Sequence, residues 1–321
     1  EEHAQRASIL RKLGECYWVI GDPKTAQEML EDSFNLFENL GDIHGAGAVQ
    51  RMIGRLYWEM GDREQALAHY QQALSILEQG PESAELAWAI SSISQMYMLA
   101  GDFQAAITWG DRALEQALRL GAHDVAIHAL NNVGTSYLNT GDVDVARPML
   151  EESARRARAF GLPHDACRAL VNLGEGLTGL GHYQEAHQVL ENLHEYAAKV
   201  QAPLYAGSSL VELAKIEWWS GDWKTALQRR QEILRWLELG RQLAYLELVG
   251  HTFFAHIHND LGQFQAAGQI LKKIRPKVEK FNELQMSAPF LREYIRTSHA
   301  LGRQSETLQA VQELLEDIER V

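Results

Sequence analysis

The chain has little cysteine, little proline and no long apolar run, and each shortage excludes a class of protein. Two cysteines among 321 residues cannot build a disulfide framework, so we expect Cys16 and Cys167 to be buried apolar side chains in a reducing compartment. Seven prolines and the lack of Ser- or Gly-rich stretches argue against a disordered linker. No apolar run reaches the roughly 18 residues that a membrane span needs, and no signal peptide is visible. These shortages predict a cytoplasmic protein with no membrane partner.

Basic residues are also in deficit. Lys and Arg total 30 against 43 Asp and Glu, which gives a formal net charge of −13. Such a surface repels polyanions, so we do not expect nucleic acid or anionic membrane as a general partner. The chain starts at Glu1 without an initiator Met, and we expect it to be a fragment of a longer protein.

Glycine is what recurs. Marker glycines are spaced 40 residues apart, with one interval of 41, at Gly21, Gly61, Gly101, Gly141, Gly181, Gly221, Gly262 and Gly302. Asp follows five of them, and a small residue, mostly Ala, lies five positions after each. A fixed period of this length is typical of stacked helical repeats.

Each period divides into two predicted helices of about four to five turns. A second turn signal lies half a period after each marker, at Gly41, Gly80-Pro81, Gly121, Gly161, Pro203 and Gly240. One apolar face of the first helix of the first period is predicted to pack, with the residues Ile9, Leu13, Cys16, Tyr17 and Ile20. Nothing alternates with period two, so no strand is expected. The prediction is one all-α domain over 1–321, with repeats at about 1–41, 42–80, 81–121, 122–161, 162–201, 202–240, 241–282 and 283–321.

The spacing of a small residue, an aromatic residue, the marker glycine and alanine resembles the tetratricopeptide repeat. In the first period it reads Gly14-Tyr17-Gly21-Ala26, and it loosens in the fifth period and further from the sixth onward. The standard unit has about 34 residues, whereas this one has 40, so it is similar to the long-helix subgroup found in cargo adaptors, polarity scaffolds and bacterial regulator sensors. The resemblance implies a right-handed α-solenoid superhelix of eight hairpins, about sixteen helices.

Three features that could suggest chemistry favour ordinary structure instead. The run from Gly174 to Gly181 spells a dinucleotide-binding fingerprint, but it lies inside a predicted helix with no strand before it. Two groups of histidines lack the i, i+4 spacing of a helical zinc site, namely His182, His187 and His194, and His251, His256 and His258. No Gly-x-Ser-x-Gly or Walker loop occurs. We expect no enzymatic activity, no cofactor and no bound metal.

A variable polar and aromatic stripe follows the first helices. Positions three, six and ten residues before each marker share one face, which the resemblance places on the concave wall. The residues at these positions vary from period to period, whereas the packing face stays apolar. Such variation is typical of a recognition surface. The predicted partner-binding residues are Arg11, Glu15, Trp18, Arg51, Arg55, Trp58, Gln95, Met98, Asn131 and Thr135.

Other interpretations of the stripe stay open. Large aromatic side chains are mostly buried, so Trp18 and Trp58 could pack against a neighbouring repeat. The arginines could be solvated or paired with Glu15 and its neighbours. Arg51, Arg55 and Asn131 resemble the carboxylate clamp of the family without reproducing it, which implies binding of a C-terminal tail.

Two functions are consistent with these features. The leading hypothesis is a protein- or ligand-sensing module of a larger bacterial regulator, similar to the C-terminal sensor arrays of signal-transduction ATPases, in which an effector in the groove controls an attached domain. The alternative is a constitutive scaffold or adaptor that docks a peptide or partner protein without switching. The expected partner is a protein or peptide, with a small effector as the other option. Self-association is expected at the last helix, where Leu315 and Ile318 lack a capping helix.

Overall fold

The described residues of the computed structural model, 2–60, 62–238, 244–281 and 284–319, form sixteen α-helices. They are α1 (Glu2–Val19), α2 (Pro23–Leu40), α3 (Ile43–Glu59), α4 (Arg63–Leu77), α5 (Ala84–Ala100), α6 (Phe103–Leu120), α7 (His123–Asn139), α8 (Val143–Ala159), α9 (Pro163–Gly179), α10 (Tyr183–Lys199), α11 (Pro203–Trp219), α12 (Trp223–Glu238), α13 (Ala244–Asp260), α14 (Phe264–Phe281), α15 (Leu284–Ala300) and α16 (Gln304–Glu319). Helices that follow one another pack as hairpins. The predicted all-α fold of repeated helix pairs is confirmed.

The chain divides into two compact units, Glu1–Asp165 and Ala166–Val321. In the first unit, the first helices of the hairpins contact one another in the order α1, α3, α5 and α7. In the second unit, α11, α13 and α15 do the same. The predicted repeat ranges and the single domain stay predictions. Over the described ranges, none of the helices has the length and apolar character to cross a bilayer.

The Gly-Asp pair ends one helix and starts the next. Gly101 has φ of +84°, a left-handed conformation that glycine adopts without steric cost. The Asp102 carboxylate then accepts a hydrogen bond from the backbone N–H of Ala105 at 3.0 Å, which caps α6. The same type of cap is made by Asp22, Asp42, Asp62, Asp142 and Asp222.

The half-period turns follow the prediction only in part. Gly41, Gly121 and Gly161 have positive φ, as a glycine-capped helix end requires. Gly80 does not, because α4 ends earlier and Ser83 caps α5. Before Pro203 the left-handed residue is Gln201, with φ of +56°. Two predicted turn glycines, Gly61 and Gly240, lie outside the described residues.

Small residues bring the two helices of each hairpin together. The alanines five positions after the markers are fully buried, namely Ala26, Ala66, Ala106, Ala146, Ala186, Ala226 and Ala267. On the facing helix, a Cβ at Gly54 would lie 2.8 Å from the Tyr70 ring and 3.0 Å from the Ala66 carbonyl oxygen. Gly174 meets Leu190 in the same way, so this first glycine of the fingerprint is a packing residue within α9.

The first helix departs from its predicted packing face. Ile9, Leu13, Cys16 and Ile20 are exposed, and only Tyr17 is half-buried. Among the described helices, α1 contacts α2 and α3, and these contacts leave this face open to solvent. The prediction of two buried cysteines is therefore wrong for Cys16 and correct for Cys167.

At the other end of the chain, Leu315 and Ile318 are 50% and 54% exposed. Self-association through these side chains stays a prediction.

The close approach at Gly54 can be tested with Gly54→Ala. Alanine favours a helix over glycine by about 1 kcal/mol, but its Cβ must displace the Tyr70 ring and press on the Ala66 carbonyl, an overpacking cost of about 1–3 kcal/mol. We expect a net loss of about 1 kcal/mol in the free energy of unfolding, measured by urea titration with circular dichroism.

Gly179→Ala is the matched control. Gly179 is also helical, and beyond its own stretch of helix backbone no atom lies within 4 Å of the place that an added methyl group would take. This change should be neutral or stabilising by up to about 1 kcal/mol. Equal stabilisation by both substitutions would contradict a close helix contact at Gly54.

Candidate functional site

The ten predicted partner-binding residues lie on α1, α3, α5 and α7, the first helices of the first unit. Nine of them are half-buried or exposed. Asn131 is only 1% exposed, and its side-chain amide lies 3.5 Å from Asn132 Oδ1. The likeness to a carboxylate clamp therefore does not extend to Asn131, because this side chain belongs to the interior.

The structure brings four of these residues and one more into an alternating surface. The Arg55 guanidinium carbon lies 4.5 Å from the centre of the Trp58 ring and 5.8 Å from that of Trp18. The Arg51 guanidinium carbon lies 5.0 Å from the ring of Trp88. Such cation–π contacts hold a guanidinium flat while leaving its edge free to donate. We call these five side chains, from Trp18 to Trp88, the arginine–tryptophan surface.

Arg51 is a residue of this surface whose guanidinium has unused hydrogen-bonding capacity. Its side chain is half-buried and makes no hydrogen bond or ion pair with the described residues. Burial lowers the pKa of the Arg51 guanidinium, with a further contribution from the charge of Arg55, while Tyr70, Glu15 and Asp124 act in the opposite direction. A guanidinium that is desolvated without a fixed partner is suited to bind a carboxylate or phosphate from outside.

The two predicted tryptophans are neither fully in a groove nor fully packed. Trp18 and Trp58 are both half-buried. Trp58 packs against a cluster that contains Tyr70 of its own repeat and Ile93 and Met96 of the next repeat. Its Nε1 is buried and has no hydrogen-bond acceptor among the described residues. The packing interpretation thus holds for part of the Trp58 ring, including its buried indole nitrogen.

Trp88, Asp124 and His128 were missed by the sequence analysis. Trp88 Nε1 donates to Asp124 Oδ2 at 3.1 Å, and its ring lies 4.9 Å from that of His128. Trp88 precedes the marker Gly101 by thirteen residues, one helical turn before the stripe position ten residues from the marker. Extending the stripe by one turn would have found it.

A second site lies in the second unit, where α9, α11, α13 and α15 line a cavity of about 300 Å³. Its walls are partly apolar, with Trp219, Leu248, Val249 and Phe253 among the lining residues. Several lining residues occupy stripe positions that the sequence analysis described by spacing but did not select, namely Glu175, Thr178, Lys215, Thr252, His256 and Arg292. The spacing signal therefore continued into the second unit.

Carboxylates dominate the part of the cavity formed by α9 and α11. Glu212 is 5% exposed and forms an ion pair with Lys215 one turn away. Glu175 is half-buried and makes no hydrogen bond or ion pair with the described residues. Burial, together with the charge of Glu212, raises the pKa of Glu175 to about 8, although Lys215 acts in the opposite direction. Glu175 is thus a carboxyl group in the cavity wall that has no hydrogen-bond donor among the described residues.

The part formed by α13 and α15 is saturated with hydrogen bonds. His256 Nδ1 lies 3.0 Å from Glu293 Oε1, and Asn259 donates to Glu293 Oε2 at 3.0 Å. Burial acts to raise the pKa of Glu293, but the hydrogen bonds from His256 and Asn259 lower it below its usual value. His256 Nε2 also lies 3.2 Å from Asp260 Oδ2, which accepts a hydrogen bond from Trp218. Glu293 and Asp260 are therefore carboxylates whose charge is already compensated.

The other histidines of the two sequence groups are held by local contacts. His251 Nδ1 lies 2.7 Å from the Glu247 carbonyl oxygen, and His258 Nδ1 lies 2.6 Å from Gln263 Oε1. His194 Nδ1 lies 3.1 Å from the Ala206 carbonyl oxygen. In the described part of the chain, no group of three or more His, Cys, Asp or Glu side chains is placed to hold a metal ion.

Solved structures share this fold at low sequence identity. A Rap protein complexed with competence and sporulation factor has a TM-score of 0.65 at 12% identity, covering 99% of this chain and 98% of that chain. Aspartyl phosphate phosphatase F from Bacillus subtilis has a TM-score of 0.62 at 13% identity, covering 91% and 75%. The Rap conjugation gene regulator of plasmid pLS20, in complex with the Phr* peptide, has a TM-score of 0.60 at 13% identity, covering 99% and 98%. At these identities the likeness concerns the fold.

Sequence comparison identifies the family. No curated protein matches the chain significantly. The tetratricopeptide repeat family matches residues 5–79, 47–119, 85–159 and 125–197, which together span more than half of the chain. This repeat fold is typically a non-enzymatic scaffold for protein interactions. Together with the helix pairs and their spacing of about 40 residues, the match shows that the chain belongs to the tetratricopeptide repeat family.

Proposed function

We propose that the chain is a peptide- or protein-binding module, and that the arginine–tryptophan surface of the first unit recognises a segment with a carboxylate beside an apolar side chain. The observation that carries the proposal is Arg51, a half-buried guanidinium stacked on Trp88 with no hydrogen-bond acceptor among the described residues. A carboxylate can accept two parallel hydrogen bonds from such a group. The adjacent indole rings offer apolar area for the neighbouring side chain.

The remaining predicted residues support a surface of this kind. Gln95, Met98 and Thr135 are half-buried on α5 and α7, so they offer further hydrogen-bonding and apolar contacts along the same helix face. Arg11 is half-buried on α1, and its guanidinium places a further cationic group on the same helix face. Glu15 is exposed and negative, so it would disfavour a second acidic group near α1 and thereby set the orientation of the bound segment.

The finer proposal is that this module acts as a sensor within a larger bacterial regulator. The resemblance to sensor arrays of signal-transduction ATPases supports it, and one structure with the same fold, the pLS20 regulator, is complexed with a peptide. A sensor must favour one of two conformations when its ligand binds. A constitutive scaffold, the alternative, would bind with little change in shape.

Peptide selection tests the binding proposal. A displayed library of random twelve-residue peptides would be selected on the purified chain, and the affinities of recovered peptides measured by calorimetry. We expect recovered peptides to contain an acidic residue beside an aromatic or aliphatic one. Arg51→Ala combined with Arg55→Ala should weaken binding at least tenfold, as expected when a hydrogen-bonded charge pair at an interface is broken.

Arg112→Ala is the matched control for the arginine variants. Arg112 also contacts a tryptophan, with its guanidinium carbon 5.6 Å from the Trp109 ring, but it lies on α6 and pairs with Glu78 at 2.7 Å. Its loss should leave peptide affinity unchanged. Equal binding by the Arg51/Arg55 variant, or selected peptides that bind as well after Asp→Asn and Glu→Gln changes, would reject the proposed surface.

Small-angle X-ray scattering distinguishes the sensor from the scaffold. The radius of gyration of the chain would be measured with and without a saturating selected peptide. A sensor should show a reproducible change in the radius and in the pair-distance distribution. Superimposable curves at full occupancy would favour the scaffold, while leaving the binding proposal intact.

A further inference from the structure

We propose that the cavity of the second unit binds a protonated amine on an apolar chain, with the ammonium group paired to the Glu175 carboxylate. This site is separate from the arginine–tryptophan surface, and the inference does not rest on the peptide-binding function proposed for that surface. It rests on which charges of the cavity are already compensated, on the shape of the cavity and on its apolar wall.

Two of the three glutamates that line the cavity already have partners, whereas Glu175 has none among the described residues. Three Glu side chains line it, at positions 175, 212 and 293. Glu212 is paired with Lys215, and Glu293 is held by His256, Asn259 and the guanidinium of Arg292, whose Nε lies 3.3 Å from Glu293 Oε1. Both cationic lining residues, Lys215 and Arg292, thus already face carboxylates. A ligand that compensates Glu175 must supply a positive charge of its own.

Glu175 is poorly solvated before any ligand arrives. An ionised carboxylate in a partly buried site without donors is costly, and the raised pKa of Glu175 is consistent with that cost. Because the fold has already removed part of the water around this group, an incoming ammonium forms a stronger ion pair here than on an open surface. The site is preorganised for a cation.

A metal ion does not satisfy the same site. Divalent cations such as Mg²⁺ and Ca²⁺ need several oxygen ligands around one point, and the described residues contain no such group. A single ammonium needs one carboxylate and can be accommodated with fewer acceptors.

The apolar wall requires the rest of the ligand to be apolar. Trp219 is 41% exposed, and Leu248, Val249, Phe253 and Pro289 line the same cavity. Its volume of about 300 Å³ is at the lower end of the range for small-ligand sites, about 300–1,000 Å³. A hydrated inorganic cation would leave this wall in contact with water, whereas an alkyl chain would cover it. An aliphatic amine meets both requirements.

A series of six-carbon probes tests the charge and the apolar chain together. Hexylammonium, hexan-1-ol and hexanoate would be titrated into the wild-type chain at pH 9, which lies above the pKa of about 8 of Glu175 and below that of an alkylammonium, about 10. Binding would be followed by calorimetry and by the NMR shift of the Trp219 indole N–H, assigned with Trp219→Phe. We expect saturable binding of hexylammonium, at least tenfold weaker binding of hexan-1-ol and no binding of hexanoate. Equal affinities for the amine and the alcohol, or no saturable binding of the amine, would overturn the proposal.

Glu175→Gln locates the ammonium group. It removes the charge with almost no change in size, so the helix content and the unfolding midpoint should be retained. We expect a loss of at least tenfold in hexylammonium affinity and no change for hexan-1-ol. Glu195→Gln is the matched control, since Glu195 is exposed on α10 outside the cavity. Equal loss in both variants, or unchanged amine affinity in Glu175→Gln, would show that Glu175 does not hold the ammonium.

The amine could be a lysine side chain or a small free molecule. Acetyl-Leu-Lys-Leu-amide and its norleucine analogue, which lacks the amine, separate the two sources. Tighter binding of the lysine peptide than of hexylammonium, lost in the norleucine analogue and in Glu175→Gln, supports a peptide ligand. Binding of hexylammonium with exclusion of the peptide supports a small amine. Either result retains the proposed ammonium–carboxylate pair. Peptide binding that persists in the norleucine analogue and in Glu175→Gln would contradict it.

Discussion

The close contact between the two helices of each hairpin is the constraint on which the structure depends. Gly54 has no side chain and so leaves room on α3 for the Tyr70 ring of α4, and Ala66 of α4 is fully buried. The backbone of α3 therefore packs directly against α4. The first helix then has one face buried within its hairpin and another facing the first helices of adjacent repeats. Arg51 and Arg55 lie on the latter face, where Arg51 contacts Trp88 and Arg55 contacts Trp18 of the adjacent repeats. Both candidate sites are therefore consequences of hairpin packing.

Most of the fold could be predicted because each turn is encoded locally. Gly101 and Asp102 carry the left-handed residue and the cap within two positions, and such signals need no knowledge of distant residues. The failures concern tertiary neighbours or unusual backbone. Burial of the Ile9 face depends on a hairpin packed against it, which the apolar pattern alone cannot reveal. The left-handed Gln201 was not recognised, because that conformation is uncommon for residues other than glycine.

The candidate sites were less predictable than the fold. Spacing placed the predicted residues on one helix face, but it could not show which of these positions stay accessible to solvent. Asn131 is inside, since the side chains of α7 pack on both sides, whereas Thr135 one turn later is half-buried. The cavity of the second unit depends on the joint sizes of side chains from four helices, and single-helix periodicity does not contain that information. The uncompensated state of Glu175 likewise follows only once the partners of Glu212 and Glu293 are known.

The Gly-Asp turn has a consequence for how such a chain changes length during evolution. The marker glycine lies at the end of one helix, and in five of the eight blocks of about 40 residues an aspartate follows it and precedes the next helix. Most blocks therefore carry their own helix-stop and helix-start signals. Duplicating or deleting a whole block between two equivalent turns would preserve each cap and each interhelical contact type, whereas losing one residue within a helix would rotate all later side chains by about 100°. Selection on such a gene should therefore tolerate gains and losses of entire blocks. Ligand preference can change with them, since each block contributes one segment of the recognition face.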